Sequence, residues 1–235
     1  SDDQSQHAAP DFARSCEIFI TRLCHNLGVP KLVDHDARRR ELAEAVWRVI
    51  VRAGVAEVSI RSVAAEAGWS SGALRHYFAT RAELLAAGCE LVIEQVTARI
   101  AARPPGGDGA GAATALGEVR AILLQTMPVD QDRLVESTIA FAFLALGLSD
   151  PALSQVQRLH FTSMYQLCLR LVRGLDDHGA LTAPHPDLET LARRLHALVD
   201  GLTVHVLAGH LSVQDMIEQL DGHLAELAGQ PSWGH

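Results

Sequence analysis

Aromatic residues make up only 5% of this 235-residue chain, and cysteine occurs four times, at positions 16, 24, 89 and 168. With so few aromatics and no sustained alternation of apolar and polar residues, half-buried strands have little to form from. No run of 18 or more apolar residues occurs, which removes a membrane-spanning helix and leaves the membrane out as a partner. The cysteines form no C-x-x-C pair and no secretory signal precedes them, so reduced thiols in a cytoplasm are expected. The twelve histidines make no i,i+3 or i,i+4 pair with another His or Cys, and no metal site is expected. There is no HExxH, no nucleophile elbow and no pair of carboxylates on one inward helix face, so neither catalytic residues nor a cofactor are expected. The glycines of Arg103–Gly111 lack the strand–loop–helix setting and the Lys-Ser/Thr of a phosphate loop.

What remains is Ala, Leu and Arg in helical periods: an all-α protein. The formal net charge is −8, unevenly spread. Residues 29–81 carry nine Lys and Arg against six acids, residues 1–28 two against four, and residues 82–235 nine against eighteen. A basic N-terminal unit on an acidic body is the asymmetry expected when one end meets phosphate.

Residues 1–35 read as a partly disordered extension, with a short amphipathic helix conceivable over 13–27. From Asp36, Leu42, Val46, Val49, Ile50 and Ala53 recur at a 3.6-residue period, and Gly54 suits a C-cap. Arg38, Arg39 and Arg40 oppose the dipole at its start, as a solvated run or as phosphate partners. The stretch from Val58 to Leu85, VSIRSVAAEAGWSSGALRHYFATRAELL, is the most informative. Ser59 caps a helix Ile60–Ala67, Gly68 ends it, Trp69 plugs the turn, and Ser70 or Ser71 caps a second helix over Gly72–Tyr77. Two short helices joined by a Gly turn form a helix-turn-helix pattern. Thr80-x-x-Glu83 is a capping box that opens a long helix to about Ala102. Small residues at Ser71, Gly72 and Ala73 allow a helix end to enter a major groove, while Arg75, His76 and Tyr77 offer reach to phosphates or base edges. Arg81 is placed for a phosphate at the next helix start.

These residues resemble the DNA-binding domain of the TetR family of bacterial transcriptional regulators. The resemblance rests on Ser59, Val63-Ala64, Gly68, the run Gly72–Phe78 and Arg81; Arg75 departs from it, where many members carry Tyr. It implies three N-terminal helices that read DNA over 36–81, with Ser59, Arg61, Ser70, Ser71, Gly72, Ala73, Arg75, His76, Tyr77 and Arg81 as candidate contacts. It also implies a C-terminal helical domain over 82–228 that dimerises and binds a small-molecule effector, followed by a tail, 229–235.

Beyond a Pro/Gly break, further helices are expected over Thr114–Met127, Asp130–Leu148, Pro151 to about His178 with Asp150 as cap, Leu188–Ala208 and Ser212–Ala228. This order, with Val199-Asp200-Gly201-Leu202, is similar to the C-terminal domain of the BetI-like subgroup. Apolar stripes at Leu191, Leu195, Leu198, Leu202 and Val206, and at Met216, Ile217, Leu220, Leu224 and Leu227, are core or dimer interface; the family implies a four-helix interface there. Candidate pocket walls are Val92, Val96, Phe141, Leu144, Met164, Leu167, Cys168 and Leu171. Polar candidates are Thr138, His160, Ser163, Tyr165 and Gln166.

The expected function is a homodimeric regulator, a repressor released from a pseudo-palindromic double-stranded operator by a mainly apolar ligand. The other reading is an all-helical ligand-binding or interaction module that does not read DNA.

Overall fold

The computed structural model describes residues 33–103, 111–147 and 154–229; the expected helix over 13–27 and the Asp150 cap lie outside them. The described residues form nine α-helices and a single 3₁₀ turn, with no strand among them. They are α1 Val33–Ala53, α2 Ile60–Ala67, α3 Ser71–Leu74, α4 Arg81–Ala101, α5 Ala112–Leu123, α6 Gln131–Gly147, α7 Ser154–Asp177, α8 Leu188–Leu207 and α9 Val213–Leu227. No helix among the described residues is long and apolar enough to cross a membrane.

Helix boundaries follow local chemistry. The Ser59 hydroxyl accepts from Ser62 N, and the Ser62 hydroxyl accepts from Ser59 N in return. Gly68 ends α2 at φ 72°, a left-handed conformation costly for a residue with a Cβ. The Trp69 amide then reaches back to the Ala64 carbonyl at 2.8 Å, a Schellman-type closure. At α4 the Thr80 hydroxyl accepts from Glu83 N, but the Glu83 carboxylate takes the Ala79 amide at 2.8 Å rather than that of Thr80. Only half of the expected capping box therefore closes.

Helix α3 is four residues long, shorter than expected; from Arg75 to Phe78 the chain continues as tight turns onto Ser71, Ala73 and Leu74 carbonyls. So short a helix cannot stand alone. It is held by Leu74 and Phe78, both fully buried among Leu42, Val46, Val49, Val63 and Leu84. Burying each contributes about 1.5–3 kcal/mol.

The same core continues through Cys89, Leu91 and Val92 of α4 to Ile139 and Phe143 of α6. Gly88 lets α1 and α4 approach closely: a Cβ there would stand 3.2 Å from Val46 Cγ1, and the Trp47 indole donates to the Gly88 carbonyl at 2.8 Å. A second core joins α5, α7, α8 and α9 around Leu171, Val172, Leu175, Leu195, Met216 and Leu220. Burial pushes the thiols of Cys89 and Cys168 up to about 12, as fits small core hydrophobes.

This second core revises the expected dimer stripes. Leu191, Leu195, Leu202, Met216, Leu220 and Leu224 are all buried within the chain itself. With their area already covered by α5 and α7, they have no face left for a partner. Only Leu198, Val206 and Ile217 of the nine expected interface residues remain half-exposed. The outward face of α8 instead carries Ala197, Gly201, Val204 and Ala208, with Val204 43% exposed.

Candidate nucleic-acid interface and internal cavity

At the N-terminal tip, Arg61, Ser70, Ser71, Gly72, Arg75 and His76 are exposed together, and Ala73 is half-buried. Each owes its place to a buried neighbour: Val63 and Ala64 fix α2, and Leu74 and Phe78 fix α3. The Ser70 hydroxyl caps α3 by accepting from Ala73 N at 3.1 Å. Tyr77 is half-buried; its ring stacks on His35 at 4.8 Å and meets Trp69 edge-on at 5.5 Å. Its carbonyl accepts from Arg39, whose guanidinium lies 4.5 Å from the Phe78 ring centre. Arg39 therefore braces the turn, a role that charge patterning alone did not suggest. The outward tip combines two guanidinium groups, an imidazole, hydroxyls and two very small residues, a set suited to phosphate contact and close approach to base edges.

Two of the candidate contacts serve the domain's own backbone. The Ser59 hydroxyl is engaged in the α2 cap. Arg81 donates Nε to the Val58 carbonyl at 2.8 Å and Nη2 to the Val55 carbonyl at 2.9 Å, half-buried against the 3₁₀ turn. The expectation that Arg81 is placed for a phosphate gives way to a bracing role: two of its five N–H donors are spent on the Val55 and Val58 carbonyls ahead of α2. Arg81→Ala should lower the melting temperature of the N-terminal unit, by about 1–3 kcal/mol of lost hydrogen bonding to buried-side acceptors. A circular-dichroism melt checks this; an unchanged melt with a reduced salt slope of DNA binding would restore the phosphate role.

Within the C-terminal half, α4, α6, α7 and α8 line a partly open cavity of about 120 Å³. Its walls are mainly apolar, from Val92, Ile93, Val96, Ile100, Ala140, Phe141, Met164, Leu167 and Val199. Of the expected pocket residues, Val92, Val96, Phe141, His160, Ser163 and Met164 line it, as does Leu167. The others do not. Thr138 is exposed and donates to the Leu134 carbonyl; Tyr165 lies under Arg193 of α8, away from the cavity lining; Cys168 and Leu171 are sealed in the core. Leu144 and Gln166 are half-exposed and also outside the lining. On α7 the stripe 160, 163/164, 167, 170 turns inward, and neighbours one position off it face elsewhere.

The cavity also holds polar residues unforeseen from the sequence: Thr97, Thr126, Glu136, Ser137, Arg170, Asp200 and Thr203. Glu136 is 4% exposed, and its carboxylate accepts from both terminal nitrogens of Arg99 at 2.9 and 2.6 Å. Arg99 also donates to the Gln125 carbonyl, tying the end of α4 to the turn after α5 and to α6. That pair raises the Arg99 guanidinium above its usual value. The Asp200 Oδ2 lies 3.1 Å from His196 Nε2, and burial pushes His160 below its usual value despite the nearby Asp200 charge. Ser163 Oγ is buried with no hydrogen-bond partner among the described residues. No group of three or more His, Cys, Asp or Glu among the described residues could hold a metal ion.

Family models match both parts of the chain: the bacterial regulatory proteins of the tetR family over residues 42–87, and the BetI-type transcriptional repressor C-terminal domain over 115–229. The HTH-type transcriptional regulator PksA of Bacillus subtilis is 36% identical over 197 residues, spanning 82% of this chain and 90% of its own length. The HTH-type regulator BetI of Stenotrophomonas maltophilia is 28% identical over 176 residues, 74% of this chain and 83% of its own. Among solved structures, a transcriptional regulator from Rhodococcus sp. Rha1 superposes with a TM-score of 0.67 at 25% identity, over 80% of this chain and 95% of that one. A putative regulator from Saccharomonospora viridis, in complex with choline, shares the fold with a TM-score of 0.66 at 22% identity, over 81% and 96%. By these matches and by its helix-turn-helix geometry, the chain belongs to the TetR family of bacterial transcriptional regulators, with a BetI-type C-terminal domain.

Proposed function

We propose that this regulator acts as a homodimeric repressor on a pseudo-palindromic operator and is released by a small, mainly apolar ligand bound in the cavity. Family membership makes the chain a DNA-binding transcriptional regulator and not an enzyme. The observation that carries the finer reading is the dual attachment of α4. Its first turn is fixed by Arg81 to the carbonyls ahead of α2, and its second half supplies Val92, Ile93, Val96, Thr97 and Ile100 to the cavity wall. A ligand that favours another position of α4 would therefore move the recognition unit, a coupling that is reciprocal by linkage.

Dimerisation is assigned to the outward faces of α8 and α9. Gly201 and Gly222 sit in mid-helix with no heavy atom near a Cβ position, so a second copy's backbone can approach closely beside Val204. A twofold axis there would present two α3 tips about 34–36 Å apart, matching half-sites one DNA turn apart.

The test is fluorescence anisotropy against DNA flanking the chain's own gene, with sedimentation to give stoichiometry. Two protomers should bind one palindromic duplex, with affinity falling steeply as salt rises. Absence of salt-sensitive binding to any palindrome would favour the module that does not read DNA.

A further inference from the structure

We infer that the cavity selects a protonated primary or secondary amine carried on a small apolar body, with Asp200 as its counter-charge; this rests on the reading of the cavity as the effector site. The polar groups are not spread evenly. Helices α7 and α8 run antiparallel, in a register set by Tyr165 against Arg193 and Phe161 against His196. That register puts Asp200 beside His160, whose ionisation senses it. Arg170 lies ten residues further along α7, about 15 Å away at helical rise. The cavity thus has an acidic pole at Asp200, His160 and Ser163, and a second pole at Arg170 and the Glu136–Arg99 pair.

At the second pole the Glu136 charge is compensated, because both its oxygens accept from Arg99, and Arg170 stands there as a further cation. At the first pole, the Asp200 carboxylate accepts no hydrogen bond among the described residues. Its one close neighbour is His196, 3.1 Å away but without hydrogen-bond geometry. Ser163 Oγ lines the same cavity, buried and unpartnered, and burial holds His160 below its usual value, toward the neutral imidazole. A half-buried carboxylate, a hydroxyl and a neutral imidazole can together accept two or three N–H bonds. A carboxylate ligand placed at this pole would meet the Asp200 charge, which repels it.

The same geometry disfavours a quaternary ammonium. Such a cation has no N–H to donate and is held by aromatic faces, whereas Phe141 is the one aromatic carbon ring on this wall. The volume sets the body. At about 120 Å³ the space is close to the ~150 Å³ cavity that admits benzene.

Calorimetric titration of the full chain with benzylamine, benzyl alcohol, benzyltrimethylammonium and benzoate tests this, with the operator complex followed in parallel. Benzylamine should bind at least ~10-fold more tightly than the other three. Asp200→Asn should remove that preference while leaving benzyl alcohol binding and the melting curve unchanged. Equal binding of benzyl alcohol and benzylamine overturns the amine assignment, as does tighter binding of benzyltrimethylammonium, benzylamine binding indifferent to Asp200→Asn, or no binding of benzylamine. If benzyl alcohol alone binds and releases operator, the cavity stands as effector site and the amine is wrong. Asp200-dependent benzylamine binding without any change in operator affinity supports the amine and refutes the effector reading.

Discussion

Replacing Ala73 by glutamate should abolish operator binding while leaving the melting temperature and the dimer unchanged. Ala73 lies in the four-residue α3 between exposed Ser71, Gly72 and Arg75, and its amide is capped by the Ser70 hydroxyl. A carboxylate in the first turn of a helix is neutral to favourable for the free protein. Against DNA the same group adds a negative charge and four further heavy atoms where the helix end must approach phosphates and base edges. A loss of at least ~100-fold, close to 3 kcal/mol, is expected in anisotropy titrations. Retention of affinity within about threefold would remove α3 from the interface.

Glu136→Ala should be the most destabilising single change in the C-terminal half. It removes both acceptors of the Arg99 guanidinium, which stays 27% exposed with one carbonyl partner, Gln125. Breaking a buried pair by deleting one partner costs about 3–5 kcal/mol, and the partial exposure of Arg99 brings this to roughly 2–4. For a chain of this size that is a drop of about 5–10 °C in Tm. The exposed Arg40–Glu94 pair, 2.6 Å long but about half exposed on both sides, is the internal control: Glu94→Ala should shift Tm by under about 2 °C. Equal shifts in the two variants would show that the Glu136 pair is screened and does not clamp α4 to α6.

How far such effects were legible in the sequence differs from residue to residue. Caps were legible, because they are short-range: Ser59, Gly68, Ser70 and Thr80 all act where their spacing places them. The helix-turn-helix was legible for the same reason, its buried anchors Val63, Leu74 and Phe78 standing out in a polar stretch. Arg81 was legible as important but not in its direction, since a cation at a helix start suits a phosphate or a backbone carbonyl equally. Its two carbonyls come from Val55 and Val58, 26 and 23 residues away.

The apolar stripes of α8 and α9 illustrate a different limit. Periodicity identifies the covered face of a helix but not what covers it. Here α5 and α7 fold over Leu195, Met216 and Leu220, and the candidate partner face falls on Gly201, Gly222 and Val204, which hydrophobicity alone passes over. Glu136, Asp200 and Arg170 escaped notice as cavity residues because charged positions in amphipathic helices are ordinarily solvated.

The sequence by itself therefore determined the all-α class, the capping residues of the N-terminal unit, the helix-turn-helix pattern and the family resemblance, all of which depend on residues within a turn or two of one another. Tertiary structure alone decided the rest: that Arg81 braces the carbonyls ahead of α2, that six expected interface residues are core, and that Asp200 and His160 line one cavity from two helices. The physical reason is that burial and pairing depend on which distant faces meet, and one periodic stripe is compatible with several partners.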